Sequence, residues 1–104
     1  MNEHVRVAGA HGARVLCAGE APDGPGFFYP PTVVVNVPQD TALMREETFG
    51  PVAAVRVVES FDAALEAAND SDYGLAATVL TPSQEHAQLA ARELRAGTVK
   101  INAV

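Results

Sequence analysis

Residues 52–80 read VAAVRVVESFDAALEAANDSDYGLAATVL, and this stretch decides the expected fold. The run at 52–58 is almost continuously apolar, which is typical of a strand covered on both faces. Apolar residues then recur at helical spacing after Ser60, a residue type suited to cap a helix. The apolar positions of this predicted helix are Phe61, Ala64, Leu65 and Ala68. A further apolar run at 75–80 predicts the next strand.

The residues after 80 continue the alternation of strand and helix. Thr81 and Gln84 have the spacing of a capping box, with Pro82 at the first helical position, so a helix is expected to start there. Its predicted buried stripe is Ala87, Ala90, Ala91 and Leu94, with Arg92 and Arg95 near its negative end. Gly97 suits the position just past the helix cap. Residues 99–104 begin another strand, and the whole order predicts an α/β fold with a mostly parallel sheet and helices packed on it.

The residues before 52 carry weaker patterns of the same kind. Residues 5–13 suggest the tail of a helix, 14–18 a short buried strand, and 19–26 a surface turn rich in Gly and Pro. Residues 27–37 include a β-branched run, with Pro30 and Pro31 expected to force a bulge or an edge at its start. Residues 41–44 predict one helical turn. We find no repeat or low-complexity tract, so one domain is expected over residues 1–104.

Charge and composition exclude several classes of partner. The 104 residues carry thirteen acidic and seven basic side chains, a formal charge of −6, which disfavours binding to nucleic acid or to an anionic membrane. No apolar run approaches the ~20 residues that span a bilayer. The residues after Met1 do not form a secretory signal, so we expect a cytoplasmic protein. The single Cys17 cannot form an internal disulfide.

Several motifs of chemical interest are better explained by structure. Gly24 and Gly26 precede a strand instead of following one, which excludes a dinucleotide-binding loop. The three histidines share no metal-ligand spacing, so each is expected to be solvated and no metal site is predicted. Cys17 lies mid-strand and is expected to be a buried structural residue and not a nucleophile. Residues 70–74 predict a helix-to-strand turn in which Gly74 takes a positive φ.

One segment carries a specific signal. Residues 45–52, REETFGPV, place two carboxylates, an aromatic ring and a Gly-Pro turn before a strand. This segment resembles the aldehyde dehydrogenase superfamily, and four more segments match in the family's order and approximate spacing. They are GFFYPPTV at 26–33, AND at 68–70, YGLAA at 73–77 and AGTVKIN at 96–102. The resemblance covers the chain from about residue 12 to residue 102.

The resemblance implies an enzyme that oxidises an aldehyde to a carboxylic acid and passes a hydride to NAD or NADP. In that chemistry a cysteine thiolate attacks the aldehyde, and water hydrolyses the resulting thioester. Glu47 matches the residue that accepts hydrogen bonds from the nicotinamide-side ribose, and Phe49 the residue beside the nicotinamide. From composition alone, a solvated acidic pair with Phe49 as a core anchor remains open. Asn102 is expected to tie its strand to a neighbouring loop.

The chain also departs from the family pattern. The nucleophilic cysteine and the glutamate base are expected before residue 1, Cys17 is not at the nucleophile position, and no catalytic residue is assigned within the chain. The dinucleotide-binding and oligomerisation segments are expected to be absent, so the isolated chain is expected to be inactive. For the same reason the choice between NAD and NADP as cofactor is left open. The complete protein is expected to be a homo-oligomer. The alternative is a free-standing interaction module, or one that completes an enzyme in trans.

Overall fold

The computed structural model describes residues 2–17, 23–26 and 28–103, which form two compact units. The first unit runs to Val57, and the second begins at Val58. The first contains α1 (Asn2–Ala10), β1 (Arg14–Cys17), β2 (Thr32–Val35), α2 (Ala42–Arg45) and β3 (Val52–Val55). The second contains α3 (Phe61–Asn69), β4 (Ala76–Val79), α4 (Gln84–Glu93) and β5 (Thr98–Ile101). This order confirms the predicted α/β class.

The first unit is built on a three-stranded sheet with β2 at its centre. β1 pairs antiparallel with β2 and shifts register between Val15 and Cys17, whereas β2 and β3 run parallel with Thr32 opposite Val52. Because β2 is the central strand, its alternate side chains can be enclosed while the edge strands stay open. The buried cluster of this unit is Val5, Ala8, Val34, Val37 and Leu43.

The second unit has a smaller sheet, in which β4 and β5 pair in parallel with Ala76 opposite Thr98. Ser60 caps α3 as predicted, because its Oγ accepts a hydrogen bond from the Ala63 amide at 3.0 Å. Leu65 and Ala90 are the buried apolar residues of α3 and α4. Across both units, two of the three strand pairs in the described residues are parallel, which agrees with a mostly parallel α/β arrangement.

The ends of α4 differ from the prediction. Ser83, not Thr81, is the N-cap, and its Oγ accepts a hydrogen bond from the His86 amide at 3.1 Å. Pro82 therefore precedes the cap. The helix ends at Glu93 because Leu94 is already extended, with ψ 126°. Gly97 is consequently not the residue past the cap, and its amide instead donates to the Gly74 carbonyl oxygen at 2.8 Å.

Three expectations of burial are wrong. Ala91, expected in the buried stripe of α4, is exposed. Ala53 and Val55 of β3 are exposed, so this strand is covered on one face only. All four residues of β1, including Cys17, are exposed as well. Apolar composition shows that a strand can be covered, but it does not say which element covers it. The predicted turn at 19–26 is seen only at 23–26, where Gly24 and Gly26 have positive φ, and residues 18–22, 27 and 104 lie outside the described residues.

None of the helices in residues 2–17, 23–26 and 28–103 is long and apolar enough to cross a bilayer.

Candidate functional site

The segment between α2 and β3 is anchored at both ends by backbone hydrogen bonds. At its start the Glu46 amide donates to the Ala42 carbonyl oxygen at 2.8 Å, after which the backbone becomes extended. At its end Gly50 has φ 141°, a conformation that favours glycine. The Thr32 amide donates to the Pro51 carbonyl oxygen at 2.8 Å and starts the ladder between β2 and β3. Residues 46–50, the anchored loop, are thus held at their two ends by a helix and a strand of the same unit.

Glu47 and Phe49 lie on the anchored loop and both are exposed. The Glu47 carboxylate makes no hydrogen bond or ion pair with any residue that the structure describes. The Phe49 ring is 81% exposed, so its interpretation as a core anchor is wrong. The carboxylate and the aromatic ring, two residues apart, are available to a ligand, because neither side chain is buried against the rest of the described residues.

His4 of α1 reaches the same loop. Its Nδ1 lies 2.7 Å from the Thr48 Oγ1, within hydrogen-bond distance, and its Nε2 lies 4.0 Å from a carboxylate oxygen of Glu46. The His4 side chain is only 26% exposed, so the expectation of a solvated histidine is wrong here. The sequence carried no signal for this contact, since His4 and Thr48 are separated by 44 positions. Only the packing of α1 brings them together.

Cys17 lines an open cavity of about 390 Å³ in the first unit. Gly50 and Pro51 line the same cavity, together with residues of β2 and β3. The Cys17 Sγ lies 3.9 Å from the Pro31 carbonyl oxygen. The expected buried cysteine is therefore exposed, because β1 is an edge strand.

In the second unit, Asn102 ties the end of β5 to Thr81 in the loop after β4. Its Oδ1 accepts from the Thr81 amide at 2.8 Å, and its Nδ2 donates to the Thr81 carbonyl oxygen at 2.9 Å. Asn102 itself has φ 53°, a left-handed conformation that asparagine tolerates better than most residues. The structural role predicted for this side chain is confirmed.

Asn69 makes a second amide clamp that sequence reasoning did not find. Its Nδ2 donates to the Glu93 carbonyl oxygen and its Oδ1 accepts from the Arg95 amide, each at 2.8 Å. Nearby, Gly74 does not have the predicted positive φ. A Cβ at Gly74 would instead lie 3.0 Å from the Arg95 carbonyl oxygen, so close backbone approach requires the glycine.

The remaining histidines have local roles. The His86 ring stacks on Phe61 with centroids 4.2 Å apart, so His86 is not freely solvated, whereas exposed His11 contacts the Val7 carbonyl oxygen at 2.8 Å. Among the residues that the structure describes, no group of three or more His, Cys, Asp or Glu could hold a metal ion.

Comparison with known proteins identifies the class to which this fold and loop belong. A family model described as the aldehyde dehydrogenase family matches residues 1–104. The chain therefore belongs to the aldehyde dehydrogenase family, which confirms the resemblance seen in the sequence.

Individual relatives agree with the family match. An aldehyde dehydrogenase of Paenarthrobacter nicotinovorans is 46% identical over 102 residues, which are 98% of this chain and 22% of the relative. The crystal structure of lactaldehyde dehydrogenase from Escherichia coli is 40% identical, with a TM-score of 0.92 over 97% of this chain and 21% of that one. A 3,6-anhydro-L-galactose dehydrogenase in complex with NAP is 42% identical, with a TM-score of 0.88 over 97% of this chain and 22% of that one. The chain thus spans about a fifth of the length of these relatives.

Proposed function

We propose that this chain is part of the catalytic domain of an NAD(P)-dependent aldehyde dehydrogenase that oxidises an aldehyde to a carboxylic acid. In this proposal the Glu47 carboxylate accepts hydrogen bonds from the hydroxyls of the nicotinamide-side ribose, and Phe49 lies beside the nicotinamide. The observation that carries the proposal is an unpartnered carboxylate and an exposed ring on the anchored loop. One relative of similar fold has a structure in complex with NAP, which supports a dinucleotide as the ligand.

The residues present suit the cofactor chemically. A ribose offers two hydroxyl donors, and an ionised carboxylate has two oxygens that can accept both. An exposed aromatic ring offers a flat apolar surface on which the nicotinamide end of the cofactor can pack. When bound, the cofactor supplies the hydride acceptor. The role of Glu47 is then to hold the ribose, which sets the distance between the nicotinamide ring and the substrate.

Within residues 1–104 we assign no catalytic nucleophile or base. Cys17 is exposed, but it lies on an edge strand, and the proposal gives it no part in the reaction. The nucleophilic cysteine and the glutamate base belong to segments outside residues 1–104. The complete enzyme is proposed to be a homo-oligomer.

The substitution Glu47→Gln tests the proposal in the longest product of the gene that encodes this chain. Loss of the charge should lower kcat/KM for NAD(P)+ about 10- to 100-fold, because hydrogen bonds to a charged acceptor are the stronger ones. Glu59→Gln is the matched control, since Glu59 is an exposed carboxylate in the other unit. Unchanged kcat/KM in Glu47→Gln would overturn the assignment of Glu47.

A free-standing interaction module, or one that completes an enzyme in trans, is the second candidate. Exposed Leu75 and Leu80 on either side of β4 fit both candidates, because such side chains can be covered by the rest of an enzyme or by a separate partner chain. An antibody against residues 83–95 would distinguish the two on a denaturing gel of the source cells. A band several times heavier than 10.9 kDa supports the enzyme, and a band at 10.9 kDa supports the module.

A further inference from the structure

We propose that His4 is a positioning residue for the cofactor site: its hydrogen bond to Thr48 holds the anchored loop so that Glu47 and Phe49 face outward. This inference rests on the proposed function of Glu47, which it deepens. It concerns a side chain on α1 that reaches the two residues flanking Glu47.

The anchor end of this contact is rigid. His4 is adjacent to Val5, and both Val5 and Ala8 of α1 belong to the buried cluster of the first unit. A helix that buries two side chains in a packed core has its backbone held in a defined position. The backbone that carries His4 is therefore positioned by the core, independently of the loop.

The loop end, in contrast, has few other restraints. Among the described residues, the His4 contact is the one hydrogen bond that connects Glu47, Thr48 and Phe49 to the rest of the chain. The backbone bonds that fix the segment lie at its two ends. Without His4, the middle three residues would have to be ordered by the cofactor itself when it binds.

The contact also determines which side chains face outward. Thr48 is the half-buried residue of the loop and contacts His4 of α1, whereas Glu47 and Phe49 on either side of it are exposed. With the Thr48 side chain turned toward His4, the side chains of its two neighbours stay exposed. The Nε2 of His4, 4.0 Å from the Glu46 carboxylate, adds a polar contact on the other flank of Glu47.

His4 is expected to affect cofactor binding through the fraction of molecules in which the loop is competent to bind. If the loop is competent for only a fraction of the time, the apparent affinity for the cofactor falls by that fraction, and saturating cofactor restores the competent form. Loss of a hydrogen bond of ordinary strength corresponds to about a fivefold change. His4→Ala should therefore raise the KM for NAD(P)+ about fivefold and leave kcat nearly unchanged.

The test measures KM, kcat and amide hydrogen exchange of residues 46–50 in the longest product that carries this chain. His4→Ala and Thr48→Val should both raise KM and exchange, and the double variant should change neither further, since they remove one shared contact. His4→Asn and Thr48→Ser retain polar groups at the contact and should keep KM and exchange close to the values of the unsubstituted protein. His11→Ala is the matched control, because His11 lies directly after α1 and, among the described residues, its ring makes a hydrogen-bond contact with the Val7 carbonyl oxygen and none with the loop.

The outcomes separate this inference from the proposed function. If Glu47→Gln weakens cofactor use while His4→Ala changes neither KM nor exchange, the positioning role is wrong and the proposed site stands. If His4→Ala loosens the loop but Glu47→Gln has no effect on kcat/KM, the proposed site is wrong. Additive effects of His4→Ala and Thr48→Val would show that the two side chains do not act through their mutual hydrogen bond. Because amide exchange of residues 46–50 reports on the loop directly, it tests the positioning role of His4 without an activity measurement.

Discussion

Each unit of this chain is stabilised internally by a different kind of interaction. In the first unit, five apolar residues from α1, β2, α2 and the segment after β2 form one buried cluster. In the second unit, the described residues bury only Leu65 and Ala90 to a comparable extent. There, Asn69 and Asn102 each use one side-chain amide to bind a backbone carbonyl and a backbone N–H of another segment.

The difference has a physical consequence for how each unit is specified. Apolar burial is non-directional and roughly proportional to the area removed from water, so it holds the elements of the first unit together without selecting one loop path. An asparagine amide offers both a donor and an acceptor, so it fits one particular pair of backbone groups. The second unit is therefore specified more by directional bonds and the first more by packing.

The substitution Leu43→Ala should produce the largest effect on this contrast. Leu43 is 7% exposed and belongs to the buried cluster, so truncation should lower the free energy of unfolding of the first unit by about 2–4 kcal/mol. Amide exchange of Thr32–Val35 measures the loss. Leu75→Ala is the same change at an 89% exposed position of the second unit and should stay within about 0.5 kcal/mol. Equal losses at both leucines would remove the distinction between the units.

Asn102→Ala should have the next largest effect. It removes two hydrogen bonds to Thr81 and places alanine at φ 53°, so the second unit should lose about 1–3 kcal/mol of stability, seen as faster amide exchange of Ala76–Val79 and Thr98–Ile101. Asn102→Gly separates the two contributions, since glycine accepts this φ but makes no clamp. Full stability in Asn102→Gly would mean that the backbone conformation, and not the clamp, matters.

Two glycines should respond to alanine with opposite signs. At Gly74 the new Cβ would lie 3.0 Å from the Arg95 carbonyl oxygen, so Gly74→Ala should destabilise the second unit by about 1 kcal/mol. At Gly9, in α1, no heavy atom lies within 4 Å of the added Cβ, so Gly9→Ala should stabilise the first unit by about 0.5–1 kcal/mol. Denaturant midpoints or local exchange would measure both. A stabilising Gly74→Ala would exclude the close approach to the Arg95 carbonyl.

The smallest effect concerns an exposed pair on α1. Arg6 donates hydrogen bonds to the Glu3 carboxylate at 2.6 and 3.1 Å, and this contact lowers the pKa of Glu3. A carboxyl with a lowered folded-state pKa contributes stability above its unfolded pKa, and that contribution is lost as the pH falls through the folded value. Arg6→Gln should therefore raise the titration midpoint of Glu3 toward its ordinary value, as followed by carboxyl NMR. An unchanged midpoint would show that the pair does not form in solution.

Much of the fold could be predicted because it depends on neighbours in the chain. Helical spacing after Ser60 predicted α3 and its cap, since a cap and the amide that it binds lie three residues apart. The same local logic chose Thr81 for α4, but Ser83 also stands before a helical pattern, and only the observed backbone distinguishes the two. The motif at 45–52 predicted the family, and the family match confirmed it.

The sequence by itself determined the α/β class, the order of strands and helices, the family, and Glu47 and Phe49 as candidates for the cofactor site. Tertiary structure alone decided that Phe49 is exposed, that Cys17 lies on an open edge strand, and that His4 contacts Thr48. The physical reason is the separation along the chain over which each kind of interaction acts. Periodicity and capping operate within a few residues, whereas exposure and the contact of His4 with Thr48 depend on which distant segments pack together.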